Sequence, residues 1–204
     1  MKSNRFGSYS GIIFGIIGVP LLILNIYELG DDFTTDSIYV ANLLDRFYLT
    51  MATAGIGFAS VILLLAHLQW LSDVVSQHAP FAARVATASA QITATALALG
   101  YGLTTLAAYG AQQKFPERVI RTTGMISGNL VIMQYVGLVV FAGLIAVLGW
   151  QGKFPRWIAL IATLEVLLAV ITAATGASAV SAIITIVWLL ANSVGLSLFT
   201  RKNT

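Results

Sequence analysis

Trp157-Ile-Ala-Leu-Ile-Ala-Thr-Leu-Glu-Val-Leu-Leu-Ala-Val-Ile-Thr-Ala-Ala-Thr175 is an apolar run of membrane length that holds a single acid, Glu165. About 20 apolar residues are what a hydrocarbon slab of about 30 Å requires of a helix. A carboxylate placed at the centre of such a helix costs roughly 3 kcal/mol on insertion scales, so Glu165 is expected to face inward and to have a partner. Helical spacing supports that direction. Ala162, Ala169, Thr172, Ala173 and Gly176 share the face of Glu165, while Leu160, Leu164, Leu167 and Ile171 lie opposite. Small residues admit a neighbouring helix and long aliphatics meet lipid.

Composition extends this reading to the whole chain. Of 204 residues, 58% are hydrophobic and 9% are charged, and the mean hydropathy is +0.87. A soluble domain carries about 25% charged residues. With no cysteine, disulfide frameworks and thiolate metal sites are excluded. The net charge of +3 comes from lysine and arginine at the ends of apolar runs. It forms no basic face, which argues against nucleic acid as a partner.

Apolar stretches at Gly11–Leu29, Phe47–Leu71, Ala82–Tyr109, Gly124–Trp150, Trp157–Thr175 and Ala179–Phe199 predict an all-α, polytopic transmembrane helix bundle of six spans in one domain, residues 1–204. The first is read as an uncleaved span, because Glu28, Asp31 and Asp32 follow it with no small-residue cleavage site. Gly176-Ala-Ser178 separates the last two, and so short a turn predicts an antiparallel hairpin. With the N-terminus inside, Lys2, Arg5, Arg84, Lys153, Arg156, Arg201 and Lys202 lie on the inner side, and Arg46, Lys114, Arg118 and Arg121 on the outer. That bias predicts both termini in the cytoplasm. Trp70, Trp150 and Trp157 fall at the inner boundary and Tyr27, Tyr39, Tyr48 and Tyr109 at the outer one, as expected of interfacial aromatic rings.

The first outer loop is acidic, and Thr34 or Thr35 in it is placed to cap a helix leading to the second span. The second outer loop is basic, so ion pairs between the two are expected, each of little energy. Lys114-Phe-Pro116 and Lys153-Phe-Pro155 each precede a helix, and proline suits a first helical turn. Pro20 lies inside the first span, where its missing N–H predicts a kink.

Inside the bundle, Gln91 on the third span sits among Thr87, Ala88, Ala94, Thr95, Ala98 and Gly102, an arrangement like that around Glu165. At 1.5 Å per residue, Glu165 and Gln91 lie roughly 12–14 Å from the inner boundary. Gln134 comes to a similar level on the fourth span, and Asn192 and Ser193 lie somewhat nearer the cytoplasm on the sixth. Glu165, Gln91, Gln134 and Asn192 are therefore the candidate binding residues. On one reading Glu165 is a neutral carboxyl that pins helix register through hydrogen bonds of about 0.6 kcal/mol each. On the other it loads and releases a proton or binds a small solute.

Other chemistry finds less support. His67 and His78 are badly placed to face one another as haem ligands and have no metal-ligand neighbours, so no cofactor or metal is expected. His67-Leu-Gln-Trp70 reads as an interfacial cluster with its polar tips at the membrane surface. No glycine-flanked serine lies near a base, so no catalytic residues are assigned and an enzyme is the less favoured class. Gly11-xxx-Gly15 with Gly18, and Gly124-xxx-Gly128, are close-packing patterns expected to serve neighbours in the same chain more often than a dimer. Tyr101 between Gly100 and Gly102 hints at a locally opened helix.

Lys153-Phe-Pro-Arg-Trp157 leading into a small-residue helix, followed by Ile186-Val-Trp-Leu-Leu190 in the last span, resembles a family of uncharacterised bacterial six-helix integral membrane proteins, a domain of unknown function. The matching pattern covers about the last quarter of the chain. The resemblance implies a multi-pass protein of a bacterial cytoplasmic membrane, and it carries no catalytic or binding residues. Two function classes follow. The first is a membrane protein that binds or translocates a small solute or proton through Glu165. The second is a non-catalytic subunit or sensor acting through helix–helix contact. Its partners would be the lipid bilayer, and a second membrane protein or a copy of itself.

Overall fold

A computed structural model describes residues 5–28, 35–175 and 178–202, with side chains described throughout these stretches except at residues 5, 21–28, 131–136, 172–175, 178–182, 184 and 199–202. Among the described residues the chain is all α, with seven helices: α1 Arg5–Glu28, α2 Asp36–Asp45, α3 Phe47–Ser76, α4 Pro80–Gln112, α5 Glu117–Trp150, α6 Arg156–Thr175 and α7 Ser178–Lys202.

The helix ends follow from local chemistry. Thr35 caps α2, its hydroxyl accepting from the Ile38 N–H at 3.3 Å. Pro80 opens α4, and Pro116 and Pro155 stand immediately before α5 and α6, where a missing N–H removes no helical bond. The carboxyl ends of α4 and α5 close alike. Phe115 N–H donates to Gly110 O and Lys153 N–H to Leu148 O, around Lys114 at φ 57° and Gly152 at φ 79°. This is the six-to-one bond of a left-handed helix stop. Glycine suits that φ at Gly152, and Lys114 adopts it without that advantage. Helix α4 runs unbroken through Tyr101, so the local opening read from its flanking glycines is not formed. Tyr101 instead covers Gly57 of α3.

The six long helices pack in chain order, α1 on α3, then α4, α5, α6 and α7, and α7 returns to α1. Neighbours run antiparallel. Between α3 and α4, Gly57 meets Tyr101 and Ser72 bonds Thr87 at 2.6 Å. Between α4 and α5, Thr104 bonds Ser127 at 2.7 Å, and Ser89 donates to Gly137 O at 3.4 Å. The seam is closed by the glycines of α1. Gly7 lies against Trp70, Gly11 against both His67 and Ser193, Gly15 against Leu190 and Gly18 against Ile186, so this stripe serves neighbours within the chain. Short α2 lies across one end of the ring, over α5, α4 and α3. There Tyr39, Val40 and Leu43 pack on Ala107, Ala111 and Ile120, Tyr39 covers Gly124, and Arg121 pairs with Asp36 at 2.6 Å.

The ring is apolar on its outside and holds polar side chains within an apolar core. Phe58, Ile62, Ile92, Leu99, Leu167 and Val170 are each more than half exposed, while Ser60, His67, Thr93, Glu165, Asn192 and Ser193 are buried. The interior is filled by Leu64, Leu68, Leu71, Phe141, Ile145 and Trp188. By length and composition α3 and α4 are long and apolar enough to cross a membrane, and apolar runs of shorter length occupy Phe6–Pro20, Gly137–Trp150 and Thr185–Leu198.

Candidate functional site

Glu165 points into the ring, as its small-residue face requires. It is 1% exposed and Ala162 is fully buried, whereas Leu160, Leu164, Leu167 and Ile171 are about half exposed on the opposite face. Helix α7 packs back along α6, and this brings Thr185 level with the acid. The Thr185 hydroxyl donates to Glu165 Oε1 at 2.7 Å, in a buried setting. Among the described residues the ion pair given by the structure is Asp36–Arg121, and none involves Glu165. A carboxyl in this position can hold a proton against its apolar surroundings or, with oxygen donors added, take a small cation.

Asn192 is completely buried on the same face of α7, two turns beyond Thr185. Two turns correspond to about 10 Å along the axis, and its amide donates to Trp188 O at 3.0 Å. Gly195, three residues on, meets Trp157 and Ile158 at the start of α6. Asn192 therefore belongs to a different level from Glu165. Gln91 is not brought to Glu165 either. It is exposed on the outward face of α4 together with Ala88, Thr95 and Gly102, while Ala86, Ala90, Thr93, Ala94 and Leu97 turn inward. The side chain of Gln134 lies outside the described residues.

A second polar cluster occupies the level of Asn192. His67 of α3 is fully buried, its Nδ1 lying 3.1 Å from Gly7 O, and its ring sits 5.5 Å from that of Trp70. The His67 tip expected at the surface is instead buried within the chain, and both rings are packed against α1, with Trp70 only 4% exposed. The physical reason is Gly7 and Gly11, whose missing side chains leave room for the two rings. Ser8 of α1 donates to Ser193 O at 2.9 Å and bonds the Ser197 hydroxyl. Ser193 donates to Leu189 O at 2.7 Å. Among the described residues three buried side-chain polar atoms have no hydrogen-bond partner: His67 Nε2, Trp188 Nε1 and Asn192 Oδ1. Each would cost about 1–3 kcal/mol if left unpaired.

No protein family, curated protein or solved structure matches this chain. Thr185, His67, Trp188 and Ser193 were not among the candidates drawn from sequence. Gly7, which extends the Gly11, Gly15 and Gly18 series by one step, is the signal that points to His67 and Ser193.

Proposed function

We propose that the chain is a six-span membrane protein of a bacterial cytoplasmic membrane, N- and C-termini inside, in which Glu165 binds and passes a proton or a small cationic solute. Helices α1 and α3–α7 hold between 20 and 34 residues, or about 30–51 Å at 1.5 Å per residue, enough for a hydrocarbon core of about 30 Å. The outward aliphatics and inward hydroxyls, the lysine and arginine bias, and the half-exposed Trp150 and Trp157 all support that setting. The bacterial location rests on the resemblance of the last quarter of the chain.

The observation that carries the functional reading is the buried Glu165–Thr185 pair, with no basic side chain bonded to the acid among the described residues. A carboxyl kept in an apolar interior without a counter-charge is the kind of group through which membrane proteins move protons and ions. The test is proton flux into liposomes holding the purified protein and a pH-sensitive dye, under an imposed membrane potential. The native protein is expected to carry protons and Glu165→Gln to lose that flux with its fold intact. Equal flux in both would refute the role of Glu165.

One observation favours the second reading, an interaction subunit. The exposed Ala88, Gln91, Thr95 and Gly102 of α4 form a small-residue stripe with a carboxamide, a surface suited to another helix. Thr95→Cys should then cross-link between copies in the membrane. Failure to cross-link at this position and at Ala88→Cys would remove self-association through α4.

A further inference from the structure

The hydrogen-bond polarity of the three orphaned atoms is fixed by their neighbours. Gly7 O only accepts, so His67 Nδ1 carries the proton in that bond, and Nε2 of the neutral ring is an acceptor. Trp188 O likewise only accepts, so the Asn192 amide nitrogen faces it and Oδ1 is an acceptor. The indole Nε1–H is always a donor. All three side chains are fully buried. They also share one region of the ring. The Nδ1–Cε1 edge of the His67 ring and the Ser193 hydroxyl both crowd Gly11 of α1, which places side chains of α3 and α7 on either side of that glycine. Asn192 precedes Ser193 and reaches back to Trp188 through its amide.

We propose that His67 Nε2, Asn192 Oδ1 and Trp188 Nε1 converge on a binding site for one water molecule, which accepts from the indole and donates to the imidazole and the carboxamide. Two acceptors and one donor require a ligand with two donors and one acceptor, and water is the smallest that meets this in a polar pocket. The site is distinct from Glu165. It gives the ring a second polar station, whose α7 groups Trp188 and Asn192 lie about one and two turns beyond Thr185, and its existence does not depend on proton passage through Glu165.

The experiment is NMR on the full chain in lipid nanodiscs, labelled with nitrogen-15 at histidine and tryptophan. His78→Gln leaves the His67 signal alone, and Trp188→Phe identifies the Trp188 indole. Should that variant fail to fold, Phe substitutions at Trp70, Trp150 and Trp157 assign it by elimination. The expected result is a cross-peak from the Trp188 indole proton to water, lost in Asn192→Leu, with the His67 Nε2 shift of a hydrogen-bonded acceptor. Three results would overturn the site: no water cross-peak with a free acceptor shift at Nε2, a direct indole-to-imidazole bond, or a cross-peak to a copurified molecule other than water. Because the readout is made without flux, it stands or falls apart from the Glu165 proposal.

Discussion

Thr185 and Glu165, twenty residues apart on adjacent antiparallel helices, are joined by a 2.7 Å hydrogen bond that is closed to solvent. That pair ties the acid to α7, so the two side chains can be separated experimentally. Thr185→Val keeps the shape and removes the donor, and it should cost between about 0.6 and 2 kcal/mol, the range for such bonds within a membrane. Glu165→Gln retains an oxygen acceptor and should leave the melting temperature nearly unchanged. Thermal unfolding in detergent reads both, and a large loss with glutamine would make the carboxyl a structural requirement.

The glycines of α1 should not be equivalent to those on the outer surface. A methyl group at Gly11 meets His67 and Ser193, whereas one at Gly55 meets nothing within contact range. Gly11→Ala is expected to destabilise by about 1–3 kcal/mol through overpacking. Gly55→Ala should be neutral or slightly stabilising. Comparable losses at both positions would contradict the seam between α1, α3 and α7.

Orientation can be read on a chain free of cysteine. Gln113 in the connection before α5, and Gln77 and Gln151 in those before α4 and α6, are all exposed. Single cysteines at these positions should label from outside at Gln113 and only after permeabilisation at Gln77 and Gln151. The reverse pattern would invert the proposed topology.

Docking of α2 should weaken in strong alkali. Burial pushes the Tyr39 phenol above its ordinary value of 10, so the neutral form is the one that packs over Gly124. The stabilisation is present in full below pH 10 and is lost as the pH rises through the raised value. Tyr39→Phe should abolish this dependence, measured as protection of α2 from proteolysis. Arg121→Ala should cost no more than about 1 kcal/mol, since the pair with Asp36 is about one-third exposed.

The order of helices was legible because length, apolar runs and proline-led starts act locally. Thr35, Pro116 and Pro155 mark ends that formed where expected. The direction of Glu165 was legible too, since α6 contrasts alanine on one side with leucine on the other. Gln91 was harder to orient because α4 has small residues on both faces: Ala86, Ala90 and Ala94 turn inward, while Ala88, Thr95 and Gly102 turn outward. With no such contrast, residue size cannot say which face meets the core. His67 was hidden for another reason. Its burial depends on glycines about 60 positions away, and nothing in the local His67–Trp70 pattern reports them.

The contact between α1 and α7 joins Ser8 to Ser193, 185 positions apart. During synthesis α1 emerges first and must wait for α7, which emerges after the other helices. Until then Ser8, Gly11 and Gly15 have no α7 to lie against. Closure of the ring is thus the last event of assembly, and partly made chains display a polar seam that quality-control proteases and insertion chaperones can recognise. Substitutions at Gly11 or Ser193 would then lower the amount of protein that matures before they alter what the mature protein does.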